Sequence, residues 1–212
     1  MKPLLVLAAF PMVLMGWASC SHSGTGHAAL PDPRAVDKSV PEYKNPFHPS
    51  TYAHFVARKD YRKTYDVYKD DTLLNRQPKK SRKIFVCLDE QRGQYLVDGL
   101  VAMDFPLSSG VKAYPTKTGD YAVISKKEDH TSNLYGKMYD AEGKCINYNA
   151  ESTDPVPEGG RFDGSPMPYW QRLTNAGLGL HVGKVRRHPV SHGCVRLPRN
   201  VAEILYRQTS IG

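Results

Sequence analysis

The residues best suited to chemistry lie in the run His181-Val-Gly-Lys-Val-Arg-Arg-His-Pro-Val-Ser191-His192-Gly193-Cys194-Val195-Arg196-Leu197. A thiol becomes a strong nucleophile as its thiolate. A nearby imidazole can take its proton and later hand it to a leaving amine. Cys194 and His181 supply these two groups from separate elements, a strand and a following turn. Gly193 lets the backbone turn sharply, so that successive N–H groups converge on one point and form an oxyanion hole. Arg196 supplies a planar fork suited to a carboxylate. The same residues admit other readings. Cys194 can be a buried structural thiol. His181, His188, His192 and Cys194 together offer four zinc ligands, although their spacing matches no common zinc pattern. His188 follows Arg186 and Arg187 and reads as a solvated loop residue.

The elements that must hold these groups are short. Ile84–Leu88 is an apolar, strand-like run, and Tyr95–Val97 follows a turn at Gln91-Arg92-Gly93. Asp98-Gly99 marks a tight hairpin turn, after which Leu100–Met103 returns. Tyr121–Ile124 reads as another strand after the turn at Thr118-Gly119, and residues 177–182 as the strand that carries His181. Short strands with frequent turns indicate an all-β sandwich or barrel. Residues 125–177 are polar and glycine-rich without clear periodicity, which describes a lid or binding loop. Pro198 opens a short helix that places Val201, Ile204 and Leu205 on one face.

The rest of the 212-residue chain bounds where this chemistry takes place. Lys2 is followed by an apolar run, Leu4–Met15, and then Gly16-Trp17-Ala18-Ser19-Cys20, which describes a secretory signal over residues 1–20. The run is shorter than the ~20 residues needed to span a bilayer. Residues 21–82 read as a linker, first Pro-rich, then basic. Ten basic and four acidic residues between Arg58 and Lys83 account for most of the net charge of +8. Such a stretch suits an anionic membrane, an acidic polymer or plain solvent, and export argues against nucleic acid. Residues 51–82, with Tyr52, Tyr61, Tyr65 and Tyr68, either dock on the domain or stay loose. The four cysteines, Cys20, Cys87, Cys145 and Cys194, include no CxxC pair. Cys87 and Cys145 either pair in an oxidising compartment or stay reduced and buried.

Ser191-His192-Gly193-Cys194-Val195-Arg196-Leu197, joined to His181-Val182-Gly183, resembles the signature of L,D-transpeptidases with a YkuD-type catalytic domain. Residues 84–109 resemble the family's opening hairpins, Tyr114–Tyr121 its Thr-Pro-x-Gly turn with altered spacing, and Pro168–Leu173 a segment leading into the histidine strand. The resemblance implies a mainly β, YkuD-type sandwich with a small C-terminal helix over residues 83–207. It implies Cys194 as nucleophile and His181 as proton donor and acceptor, oriented by the Val182 carbonyl. The backbone of His192, Gly193 and Cys194 matches the oxyanion hole. Arg196, Ser191, Tyr169 and Trp170 fall on the substrate side, with a structural role also open for Arg196. No cofactor and no metal are implied. Ala18-Ser19-Cys20 resembles a lipobox, with Trp17 in place of the usual Leu, so Cys20 is the expected lipidation site and membrane anchor, with simple signal cleavage nearby as the alternative.

The expected substrates are peptidoglycan stem peptides, met in the periplasm or cell envelope. The expected reaction cleaves a stem tetrapeptide before its terminal D-alanine and passes the acyl group to an amine, forming 3→3 cross-links. A protein amine or water as acceptor would give attachment of a protein to the wall or an L,D-carboxypeptidase. A non-catalytic wall-binding lipoprotein would not need both Cys194 and His181. A papain-like endopeptidase lacks support, because no Gln-x-x-x-x-x-Cys pattern precedes the nucleophile.

Overall fold

The computed structural model describes residues 32–78 and 81–212. The signal, Cys20 and residues 21–31 of the linker lie outside the described residues. The described part opens with helix α1 (Tyr52–Ala57), which starts where Thr51 Oγ1 accepts the His54 N–H at 3.1 Å. Strand β1 (Tyr68–Lys69) follows. Helix α2 (Asp71–Leu74) is capped by the Asp70 carboxylate, which accepts the Leu73 N–H at 3.0 Å. Strands β2 (Arg82–Cys87), β3 (Arg92–Val97) and β4 (Leu100–Pro106) form an antiparallel meander. Its second turn is the expected Asp98-Gly99, with both residues at positive φ (52° and 84°), the twist that two-residue hairpins need. β1 pairs with β4, so the first sheet has the order β1-β4-β3-β2.

Of the two alternatives for residues 51–82, docking is what the described residues show. β3 is buried on both faces because the N-terminal segment covers one of them. Tyr95 and Val97 enter the main core, while Arg92 and Gln94 lie beneath the segment. There Asp104, fully buried, accepts from Arg92 Nε at 2.6 Å, Tyr52 Oη at 2.7 Å and Tyr61 Oη at 2.8 Å. The remaining Arg92 donors reach the carbonyls of Thr64 (3.1 Å) and Asp66 (3.2 Å). A buried ion pair is tolerated when its remaining hydrogen-bonding capacity is met in this way. Phe55, Val56 and Tyr61 add a small apolar cluster of their own.

The chain continues through β5 (Ser125–Lys127), β6 (Thr131–Tyr139), β7 (Cys145–Glu151), β8 (Arg161–Pro166), β9 (Trp170–Arg172), β10 (Gly179–Val182), β11 (Val195–Leu197) and α3 (Arg199–Gln208). A second sheet has the order β11-β10-β9-β5 and a third the order β7-β6-β8. Met103, Phe105 and Leu107 from the first sheet and its exit, Leu180, Val195 and Leu197 from the second, and Val201, Ala202 and Leu205 from α3 share one core. The fold is therefore mainly β with a C-terminal helix. Pro198 sits at the N-cap of α3, one place before the first helical residue, and Val201 and Leu205 are fully buried.

Several expectations are corrected. Tyr121–Ile124 has no ladder partners, and the strand starts at Ser125. Arg92 and Gly93 belong to β3, so the first turn ends at Gln91, which takes φ 50°. Residues 125–177 hold five strands in place of a long loop. The buried positions of β6 are Ser132, Gly136 and Met138; the polar Ser132 and the small Gly136 leave Met138 as the one apolar residue among them, too little for an alternation to read. Its ladders are also broken by register shifts. Cys145 is a free, half-buried thiol, so the Cys87–Cys145 pair is not formed.

Candidate active site

The site is built on the parallel pair β10 and β11. Leu180 lies opposite Val195, His181 opposite Arg196 and Val182 opposite Leu197. Leu180, Val195 and Leu197 enter the core. By strand alternation His181 and Arg196 then stand on the opposite face. Cys194 immediately precedes β11, and the Gly179 backbone hydrogen-bonds to its sulfur. The residues singled out for chemistry, with twelve residues between them in sequence, are thus brought to one patch by two neighbouring strands.

His181 is buried, at 6% exposure. Its Nδ1 lies 2.8 Å from the Val182 carbonyl oxygen. A carbonyl only accepts, so Nδ1 carries the proton and the Nε2 lone pair is left for a substrate or thiol proton. Burial pushes the ring pKa down to about 4. The Val182 hydrogen bond opposes that shift, and the charges of Arg196 and His130 add to it. Burial also pushes the Cys194 thiol up, against the Gly179 hydrogen bond and the nearby Arg196 and Arg172 guanidiniums. The shifts are opposite in sign, and each favours the uncharged form of its group. The resting pair is a neutral thiol and a neutral imidazole. The thiol donates to the Gly177 carbonyl at 3.3 Å, in the loop between β9 and β10.

The turn before Cys194 is held from within and from outside. Ser191 Oγ donates to the Cys194 carbonyl at 2.5 Å and accepts the Gly193 N–H at 3.2 Å. Gly193 takes φ 110°, which favours glycine. Thr116 Oγ1 donates to the Gly193 carbonyl at 2.6 Å and accepts the Gly110 N–H at 2.8 Å. Gly110 packs so closely that a Cβ there would lie 2.1 Å from the Tyr114 carbonyl. His192 is exposed and sits between two rings, stacked on Tyr135 of β6 (centroids 4.3 Å) and tilted against Tyr114 (4.8 Å).

The substrate-side expectations separate. Arg196 is half-buried, lies across Gly183, and makes no ion pair or side-chain hydrogen bond among the described residues. It is a free cation beside the thiol. Ser191 is corrected to a brace, because its hydroxyl is spent inside the turn and the residue is 2% exposed. Tyr169, at φ 55°, packs on the core, Tyr206 and Arg199. Trp170 is buried with its ring over Gly179 and 5.9 Å from the His181 ring, so it walls the imidazole. The Gly193 N–H points at Ser191 Oγ in this state, and those of His192 and Cys194 have no acceptor among the described residues. His188 is exposed. No group of three or more potential ligands converges on a metal position among the described residues.

Sequence reasoning missed His130, whose ring tilts against Trp170 (centroids 5.0 Å), as well as Tyr135, Arg172 and Gly177. His130 and Tyr135 come from the stretch read as a loop, Arg172 lies in the Pro168–Leu173 string, and Gly177 falls at the expected start of the histidine strand. Thr116 lies in the Tyr114–Tyr121 string, whose resemblance was the available signal for it.

Residues 81–212 match the L,D-transpeptidase catalytic domain, YkuD. Among solved structures, an L,D-transpeptidase from Mycobacterium smegmatis is 21% identical, with TM-score 0.46, over 62% of this chain and 56% of that one. An Enterococcus faecium L,D-transpeptidase is 26% identical, with TM-score 0.44, over 62% of this chain and 47% of that one. The catalytic domain from E. faecium is 27% identical, with TM-score 0.45, over 63% of this chain and 93% of that domain. The chain therefore spans about half the length of the full proteins it matches. No curated protein matches it.

Proposed function

From the premise that this chain belongs to the L,D-transpeptidase catalytic-domain family, we propose that it is a cysteine transpeptidase of peptidoglycan stem peptides. One observation carries the reading: His181 is fixed by the Val182 carbonyl with Nε2 unprotonated, on the strand adjoining Cys194. His181 Nε2 takes the Cys194 proton as Sγ attacks the carbonyl carbon of the amide before the terminal D-alanine. The oxyanion is met by the His192 and Cys194 N–H groups, joined by that of Gly193 if it leaves Ser191 Oγ. The C–N bond breaks as His181 returns the proton to the leaving nitrogen, giving free D-alanine and a thioester on Cys194. An incoming amine then gives its proton to Nε2 and attacks the thioester. Sγ departs, and the imidazolium reprotonates it. One amide is exchanged for another, so the acyl-enzyme retains the bond energy and no nucleotide is consumed.

Arg196 suits the carboxylates of the stem, since a guanidinium binds one through two parallel hydrogen bonds. Export follows from residues 1–20, and lipidation at Cys20 would place the enzyme at a membrane face of the cell envelope. The test is to incubate the soluble protein with purified tetrapeptide muropeptides and weigh the products. A dimer lighter than two monomers by one D-alanine supports the proposal. Loss of D-alanine with addition of water identifies a carboxypeptidase instead, and unchanged muropeptides refute both.

A further inference from the structure

The family match begins at residue 81, yet residues before it reach the loop that feeds the nucleophile turn. Loop 183–190 joins β10 to Ser191 and contains no helix or strand. Its midpoint, Arg187, takes φ 56°, a left-handed conformation that a long side chain adopts only when its surroundings enforce it. Those surroundings are visible. The Arg186 and Arg187 N–H groups both donate to the buried Ser108 Oγ, at 2.8 and 3.1 Å. Arg187 Nη2 donates to the carbonyl of Glu90 at 3.2 Å, in the β2–β3 turn, and to the carbonyl of Arg62, in the N-terminal segment. Tyr65 Oη donates to the Arg186 carbonyl at 3.2 Å.

The same Ser108 pairs through its backbone with Arg196, two residues after the nucleophile (2.8 and 3.1 Å). The Ser109 carbonyl accepts from Val190 and Ser191, at 2.8 and 3.0 Å. The segment that grips Arg187 is itself locked to the domain by the buried Asp104 hub.

The geometry points to residues 52–66 and Arg187 forming a clasp that positions loop 183–190 and, through it, the Cys194 turn. The clasp rests on Cys194 being the reactive thiol, as under the proposed function. Arg187 is a positioning residue. One nitrogen, Nη2, joins two carbonyls from separate segments, so the Lys ammonium, with three donors on a differently shaped stem, replaces the bridge only in part. The functional unit of this protein then extends N-terminal of its family domain, and docked residues 52–66 set how well the turn is formed.

The experiment compares wild type, Arg187→Ala, Arg187→Lys and Tyr65→Phe in the otherwise unaltered chain. It reads turnover of a stem tetrapeptide, alkylation of Cys194 by iodoacetamide at neutral pH, and the melting temperature. A displaced turn should lower kcat at least ~10-fold in Arg187→Ala with KM little changed. Alkylation should accelerate as the thiol loses burial, while the protein stays folded at the assay temperature. Arg187→Lys should fall between it and wild type. Should Arg187→Ala not fold, Arg187→Lys and Tyr65→Phe carry the same comparison. Unchanged kcat and unchanged alkylation in folded variants overturn the clasp, whatever the melting temperature does. Absent turnover in wild type defeats the substrate reading instead, and the alkylation ratio alone then decides the clasp.

Discussion

Alkylation of Cys194 by a small neutral reagent should follow a slope across neutral pH, with no plateau. The structure buries the thiol and lifts its pKa, and it depresses His181 to about 4. Neither group favours a resting thiolate–imidazolium pair. A thiol at or above the ordinary ~8.5 is ~1% or less ionised near pH 6.5, and that fraction grows about tenfold per pH unit. The second-order rate constant should therefore rise ~100-fold between about pH 6 and about pH 8. Cys145 is also a free thiol. The assay is thus run on Cys145→Ser protein, with label incorporation followed by mass. His181→Gln should keep the slope, because the imidazole does not hold the thiol ionised at rest. A rate constant already flat from about pH 5, lost in His181→Gln, is the signature of an ion pair and would refute the neutral-pair reasoning.

Other perturbations address the frame around this pair. Asp104→Asn leaves Arg92 buried without its counter-charge and weakens the bonds from Tyr52 and Tyr61. Breaking such a pair costs ~3–5 kcal/mol, or roughly 6–20 °C in the melt at ~2–4 °C per kcal/mol; a shift under about 2 °C would show that the hub does not hold the N-terminal segment. The folded His181 pKa of about 4 lies below the unfolded value. The unfolded chain therefore binds the proton first, and stability is full above ~6.5 and declines as pH falls toward 4, by roughly 3 kcal/mol. Urea unfolding at about pH 7 and about pH 4.5 should show a drop that is smaller in His181→Gln. Arg196→Lys keeps the charge but loses the fork, so it should slow acylation by stem peptides while the melt stays put, given that the guanidinium braces nothing among the described residues; a lowered melt with unchanged acylation would make it structural.

The candidate site was legible because its geometry is local. The Ser191–Cys194 turn carries its own glycine and its own brace, and His181 precedes the carbonyl that orients it. Asp98-Gly99 and the apolar face of α3 were equally readable, one from turn chemistry and the other from helical spacing. What could not be read depends on distant partners. Tyr52 and Tyr61 looked like linker residues because nothing near them in sequence needs a hydroxyl; Asp104, which does, lies on β4. Arg92 resembled a turn residue, since a buried arginine is recognisable only with its carboxylate in view. The third sheet was hidden by Ser132 and Gly136 at inward positions. With it went Tyr135, whose ring covers His192. Ser191 was placed on the substrate side by resemblance alone, and only the folded turn shows both of its bonds directed inward.

The central claim is that Cys194 forms a thioester with a stem peptide, using the proton acceptor fixed on β10. Intact-protein mass analysis after brief mixing with a stem tetrapeptide, followed by peptide mapping, tests it most directly. The expected adduct is the tetrapeptide less its terminal D-alanine, located on the peptide holding Cys194, absent from Cys194→Ala and strongly reduced in His181→Gln. An adduct that maps to Cys145, or turnover that persists in Cys194→Ala, would contradict it.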